Sequence, residues 1–131
     1  MGKVTDLSKL IRGMSPKLHQ GEFVFVSVKS VDKIDRNDTV CEFKEEEGTT
    51  LVLEKSKADE LGLSYDFVAA WITLKIHSSL EAVGLTAAFS TALTNSHISC
   101  NVIAGYYHDH IFVNHKDAQK AMDVLISMSN T

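Results

Sequence analysis

The sequence predicts an α+β fold with helices packed on one face of a mainly antiparallel sheet. Three observations predict it. Strand-like and helix-like segments alternate along the chain, β-hairpins interrupt that alternation, and a helix–strand–strand–helix order recurs.

The elements follow in order. Asp6 to Arg12 reads as a short helix, with Asp6 as N-cap, Leu7, Leu10 and Ile11 on one face, and Gly13 and Pro16 ending it. Glu22 to Val28 alternates and is rich in β-branched and aromatic residues, the composition of a strand. Val31 to Asp38 reads as a polar connection. Thr39–Lys44 and Thr49–Glu54 flank Glu45–Gly48 as a hairpin, with Gly48 supplying the turn geometry. Lys55 to Leu61 is a short helix stopped by Gly62, and Phe67 to Ile76 is an apolar run suited to a central strand covered on both faces. Leu85 to Leu93 reads as a helix of small residues that could begin near Leu80, with Asn95 at its end. His97–Ala104 and Asp109–Val113 are strands around a turn, and Lys116 to Met128 is an amphipathic helix.

A chain of 131 residues accommodates one domain or two very small packed subdomains. Formal net charge is −4 and Lys and Arg are scattered, so nucleic acid is not an expected partner. No stretch reaches the apolar length of a membrane span, and Met1–Leu10 lacks the apolar centre of a signal peptide, which makes a cytoplasmic protein the expectation. The two cysteines, Cys41 and Cys100, sit among alternating apolar residues and read as buried reduced thiols.

Two segments resemble each other internally. Leu51–Ala58 and Ile111–Ala118 each run strand into helix, and Phe23–Val28 and Ile98–Ile103 precede them. A duplication would make the unit a ferredoxin-like split βαβ, in incomplete modules 1–64 and 65–131. Chance pairing of two generic α+β segments is the competing reading.

A further likeness rests on Trp71-Ile72-Thr73-Leu74, Ser78 to Leu85, His97-Ile98-Ser99 and His108 to Val113, with Leu7–Pro16 and Gly21–Phe25 upstream. This ordered set resembles the ACT domain. The N-terminal stretch resembles small bacterial ACT-like proteins, relatives of the ACT pairs of animal cytosolic arginine sensors. The turn departs from the usual Pro-Gly of ACT domains: Ser78-Ser79 and Val83-Gly84 occupy that region, closer to the arginine-sensor branch. The resemblance implies an ACT-like tandem fold that binds an amino acid and acts as an allosteric regulator.

The candidate ligand site is the turn and helix start spanning Ser78, Ser79, Leu80, Glu81, Val83, Gly84 and Leu85, with Asp109 opposite. A helix N-terminus offers unpaired N–H groups and partial positive charge, which suit an amino-acid carboxylate. Ser78 and Ser79 could donate to the ligand or cap the helix, and Gly84 would permit close backbone approach or tight helix packing. In an ACT topology Asp109 opens the strand facing that loop, placing it to accept the ammonium; a turn residue is its structural alternative. Glu81 could meet a cationic side chain, or simply complement the helix dipole.

Six histidines raise the question of a metal. His108-x-His110 puts two rings on one strand face, but no further ligand follows at zinc spacing, so no metal is expected. No phosphate-binding glycine loop, nucleophile elbow or activated cysteine occurs, so neither a cofactor nor catalysis is expected. The sequence therefore leads to a regulatory amino-acid binder that is not an enzyme, with a ligand-free interaction or oligomerisation module as the alternative. Open sheet edges in incomplete repeats make a homo-oligomer the expected assembly.

Overall fold

The structure, a computed structural model, describes residues 7–76 and 83–130. The elements are α1 (Leu7–Gly13), β1 (Ser15–Leu18), β2 (Phe23–Val28), β3 (Thr39–Lys44), β4 (Thr49–Glu54), α2 (Lys55–Glu60), β5 (Val68–Lys75), α3 (Leu85–Asn95), β6 (Asn101–Ala104), β7 (Asp109–Asn114) and α4 (Ala118–Ser129). Single 3₁₀ turns precede β3 and α4, at Arg36–Asp38 and His115–Asp117. The architecture is α+β, antiparallel in its paired registers, with helices on one face. Chain order does not divide it: one compact unit is Gly21–Ala69, and the other joins Met1–Gln20 to Ala70–Thr131.

In the Gly21–Ala69 unit the strands run in the order β3-β4-β2-β5. β2 pairs antiparallel with β4 from Phe23↔Glu54 to Val28↔Thr49, and touches the start of β5 at Phe23↔Ala69 and Val24↔Val68. The β3–β4 hairpin closes where Glu45 N–H donates to the Gly48 carbonyl at 3.0 Å. Strand alternation sends Val24, Val26, Leu51 and Leu53 to one face, where Ala58 of α2 meets them. The connection read as polar also packs Val31 and Ile34 onto this cluster. Two apolar side chains among charged neighbours are enough to cover sheet there, and they leave no period for a sequence reading to find.

In the other unit β5 is central. Ala70, Ile72, Leu74 and Ile76 are buried on one side, and Thr73, 4% exposed, is buried on the other. That explains why β5 reads as a continuous apolar run. The helices cover the first side. Leu10 of α1, Met14, Leu85, Phe89 and Leu93 of α3, and Ala121 and Leu125 of α4 close over β5 and over Ile111 and Val113 of β7. The spacing of Leu85, Phe89 and Leu93 is one stripe of a helix. Burying each Leu or Phe stabilises the unit by roughly 1.5–3 kcal/mol.

Three local features differ from the sequence expectation. Residues 15–18 form β1, which pairs antiparallel with β5 from Ser15↔Lys75 to Leu18↔Ile72. Pro16 hides this strand in the sequence, yet an edge strand tolerates a residue with no N–H to give. β6 starts at Asn101, not at His97. His97 instead caps α3 in the left-handed conformation (φ 61°). Its N–H donates to the Thr94 carbonyl at 2.9 Å, and Ile98 N–H donates to that of Leu93 at 3.0 Å. This is a Schellman closure with its apolar Leu93–Ile98 contact. The final helix is shorter at its start, because Asn114 Oδ1 accepts from Lys116 N–H and holds a 3₁₀ turn first.

Candidate functional site

The site expected from sequence falls partly outside the described residues: Ser78, Ser79, Leu80 and Glu81 lie in residues 77–82. Val83, Gly84, Leu85 and Asp109 are placed. Gly84 is the N-cap of α3, with φ 95° and ψ −13°, and no side chain caps the helix there. Its carbonyl accepts the first intrahelical bond, from Ala88 N–H at 2.9 Å. Positive φ is the physical reason for glycine at this position. A Cβ would also lie 3.3 Å from Leu7 Cδ2 of α1.

The residues around Gly84 divide by role. Val83 is 85% exposed, whereas Leu85 is 4% exposed and belongs to the core. Leu85 therefore anchors the helix start by its side chain and can offer a ligand only its backbone. Because α3 has a glycine N-cap, the cap residue brings no side chain to the first-turn N–H groups, and no capping side chain answers them among the described residues. At a helix of eleven residues they carry the positive end of the dipole.

Asp109 opens β7. Strand alternation puts it on the face of Ile111 and Val113, the face on which α3 packs. It is half-buried, and burial pushes its carboxyl above the usual carboxylate range, against the opposing pull of His110 and His108. A carboxylate held uncomfortably in this way is poised to gain from a cation. The structure thus brings a helix N-terminus and a desolvated carboxylate to the same side of one sheet.

The histidine pair separates. His108 precedes β7, and its carbonyl accepts from Gly105 N–H at 2.9 Å; its Nδ1 is buried without a hydrogen-bond partner among the described residues. His110 points to the face opposite Asp109, where its Nδ1 takes the indole N–H of Trp71 at 3.1 Å. Sequence reading missed this arrangement, since there Trp71 is one residue of the apolar run Phe67 to Ile76. Among the described residues no group of three or more His, Cys, Asp or Glu is placed to hold a metal ion. Burial raises the thiols of Cys41 and Cys100, the latter to about 11, which suppresses the nucleophilic thiolate. Among the described residues no helix is long and apolar enough to cross a membrane.

Comparison with known proteins adds the following. The ACT domain family matches twice, over residues 3–70 and over residues 67–127. No curated protein matches the sequence. A solved Vibrio cholerae structure, described as a protein of unknown function and possible transport protein, is similar at 46% identity and a TM-score of 0.85, over 95% of this chain and 97% of that one. The ligand-free regulatory subunit of aspartate kinase from Thermus thermophilus superposes with a TM-score of 0.60 at 7% identity, over 88% of this chain and 98% of that one. Clostridium acetobutylicum aspartate kinase gives 0.61 at 14%, over 90% of this chain and 34% of that one. At these identities the two kinases speak to fold alone.

Proposed function

The chain belongs to the ACT-domain family, and from that premise we propose that it is a non-catalytic regulatory protein that binds an amino acid at the start of α3. The observation that carries the reading is the glycine-capped N-terminus of α3 with Asp109 on the same face of the sheet. The helix N–H groups would take the ligand carboxylate and Asp109 its ammonium. Ser78, Ser79, Leu80, Glu81 and Val83 belong to the same proposed site, with Glu81 suited to a cationic side chain. The modules of the proposal meet between residues 64 and 65.

Regulation requires the ligand to favour one conformational state by differential affinity, which a partner protein then reads. The protein is proposed to work in the cytoplasm as a homo-oligomer. A second reading, a ligand-free interaction module, is favoured by one observation: Phe43 on β3 and Tyr106 and Tyr107 after β6 are each at least 69% exposed.

Thermal denaturation in the presence of each amino acid separates the two. A ligand at 100 times its dissociation constant adds about 2.7 kcal/mol to stability, so the cognate amino acid raises Tm measurably. A flat Tm with every amino acid at about millimolar concentration favours the interaction module, whereas self-association fits both readings.

A further inference from the structure

On the sheet face opposite Asp109, four side chains form an array that ligand binding does not use. His19 stacks on Trp71 with ring centroids 3.5 Å apart and planes 10° from parallel. His19 Nε2 lies 2.7 Å from Thr73 Oγ1, which lies 3.0 Å from His110 Nδ1. Trp71 Nε1 reaches the same His110 Nδ1 at 3.1 Å. Trp71 and Thr73 stand on β5 and His110 on β7, while His19 follows β1 and donates its backbone N–H to the Trp71 carbonyl at 2.9 Å.

Elementary chemistry fixes the protons. An indole N–H can only donate. His110 Nδ1 therefore presents its lone pair, and His110 is neutral with its proton on Nε2. Thr73 has one consistent direction left: its hydroxyl donates to that lone pair, and its oxygen accepts from His19 Nε2–H. The surroundings hold the rings in place. Phe112 is fully buried, with its ring 6.2 Å from that of Trp71. A Cβ on Gly105 would stand 2.9 Å from the His108 carbonyl oxygen and 3.1 Å from His110 Nε2, so only glycine lets the β6–β7 turn close on this ring.

We propose that the His19–Trp71–Thr73–His110 array is a proton-operated latch: it ties β1 and β7 to β5 while His110 is neutral, and protonation of His110 Nδ1 releases it. A proton on Nδ1 would face two N–H and O–H donors at about 3 Å and remove the acceptor from both. The charged groups around the array mostly oppose a new cation. Lys17 on β1, Lys75 on β5 and His110 oppose a charge on His19, and His108 opposes one on His110; among the described residues Asp109 alone favours the charge on His110. Burial is the largest cause in holding both imidazoles below their ordinary range, and these cations add to it. Because the folded form resists protonation, the latch is at full strength above a pH of about 6.5 and weakens as pH falls below that value.

Trp71 is the only tryptophan, so its fluorescence reports this array directly. The test is an imidazole ¹H–¹⁵N NMR titration of the full chain alongside Trp71 emission, from about pH 7.5 to about pH 4.5. The expected result is His110 as the Nε2–H tautomer at neutral pH, protonation of His110 and His19 below about 6.5, and an emission change with the same midpoint. In His110→Asn, whose amide oxygen takes the place of Nδ1 and accepts without titrating, the emission change at the His110 midpoint should vanish. The wild-type titration decides alone if that variant does not fold. An Nδ1–H tautomer, titration of His110 at or above about 6.5, or emission that stays flat while His110 titrates would each overturn the proposal.

Discussion

Trp71 and His110 share a hydrogen bond of 3.1 Å between β5 and β7, although 39 residues separate them in the chain. The bond is directional, since the indole has only a hydrogen to give. It makes the tryptophan a tie between strands as well as an apolar surface. Trp71→Phe keeps most of the ring and removes the donor. Unfolding by urea at neutral pH should show a loss of about 0.5–1.5 kcal/mol, the usual net worth of a hydrogen bond. His110 in that variant should protonate more readily than in the parent, as seen in an imidazole NMR titration.

Gly84 tests the helix start. At φ 95° an alanine is strained, and its Cβ presses on Leu7 at 3.3 Å. Gly84→Ala is expected to cost about 1–2 kcal/mol in denaturant unfolding. By re-aiming the first turn of α3 it should also abolish ligand stabilisation. An alanine variant of wild-type stability would show that the turn does not need its positive φ.

His97 offers the reverse experiment. It occupies the left-handed position that closes α3, at φ 61°. Glycine fills that position without a steric penalty, so His97→Gly should raise stability by up to about 1 kcal/mol. Guanidinium unfolding curves of the two proteins provide the comparison. A loss would mean that the imidazole makes a stabilising contact that outweighs backbone strain.

Asp109 links ligand to pH. Burial raises its folded-state pKa above the unfolded value. The folded chain thus holds its proton more tightly, and Asp109 lowers stability as pH rises from about 3.9 through the raised value. Asp109→Asn should therefore raise Tm at neutral pH, with the gain disappearing at acid pH. The same variant should lose amino-acid binding, because the ammonium has no anion to meet. A variant that gains no stability at neutral pH and still binds would remove Asp109 from the site.

Much of the fold was legible in the chain. β2, the β3–β4 hairpin, β5 and α4 each carry a period or run that depends only on near neighbours, and all lie close to their expected bounds. β1 was not legible, because Pro16 reads as a terminator until β5 is there to pair with it. The start of β6 was misplaced because His97 and Ile98 continue an alternating pattern but are held by carbonyls of α3. Within the candidate site, the helix start and Asp109 followed from spacing and resemblance, whereas the core placement of Leu85 needed the packed structure. The His19–Thr73 contact spans 54 residues, and no local pattern encodes it.

The central claim is that an amino acid binds at the N-terminus of α3. The most direct measurement is a backbone ¹H–¹⁵N titration with whichever amino acid raises Tm most. Saturable shifts centred on the amides of Gly84, Leu85 and Asp109 are expected, lost in both Gly84→Ala and Asp109→Asn. Shifts confined to other residues, or no response to any amino acid at about millimolar concentration, would contradict it.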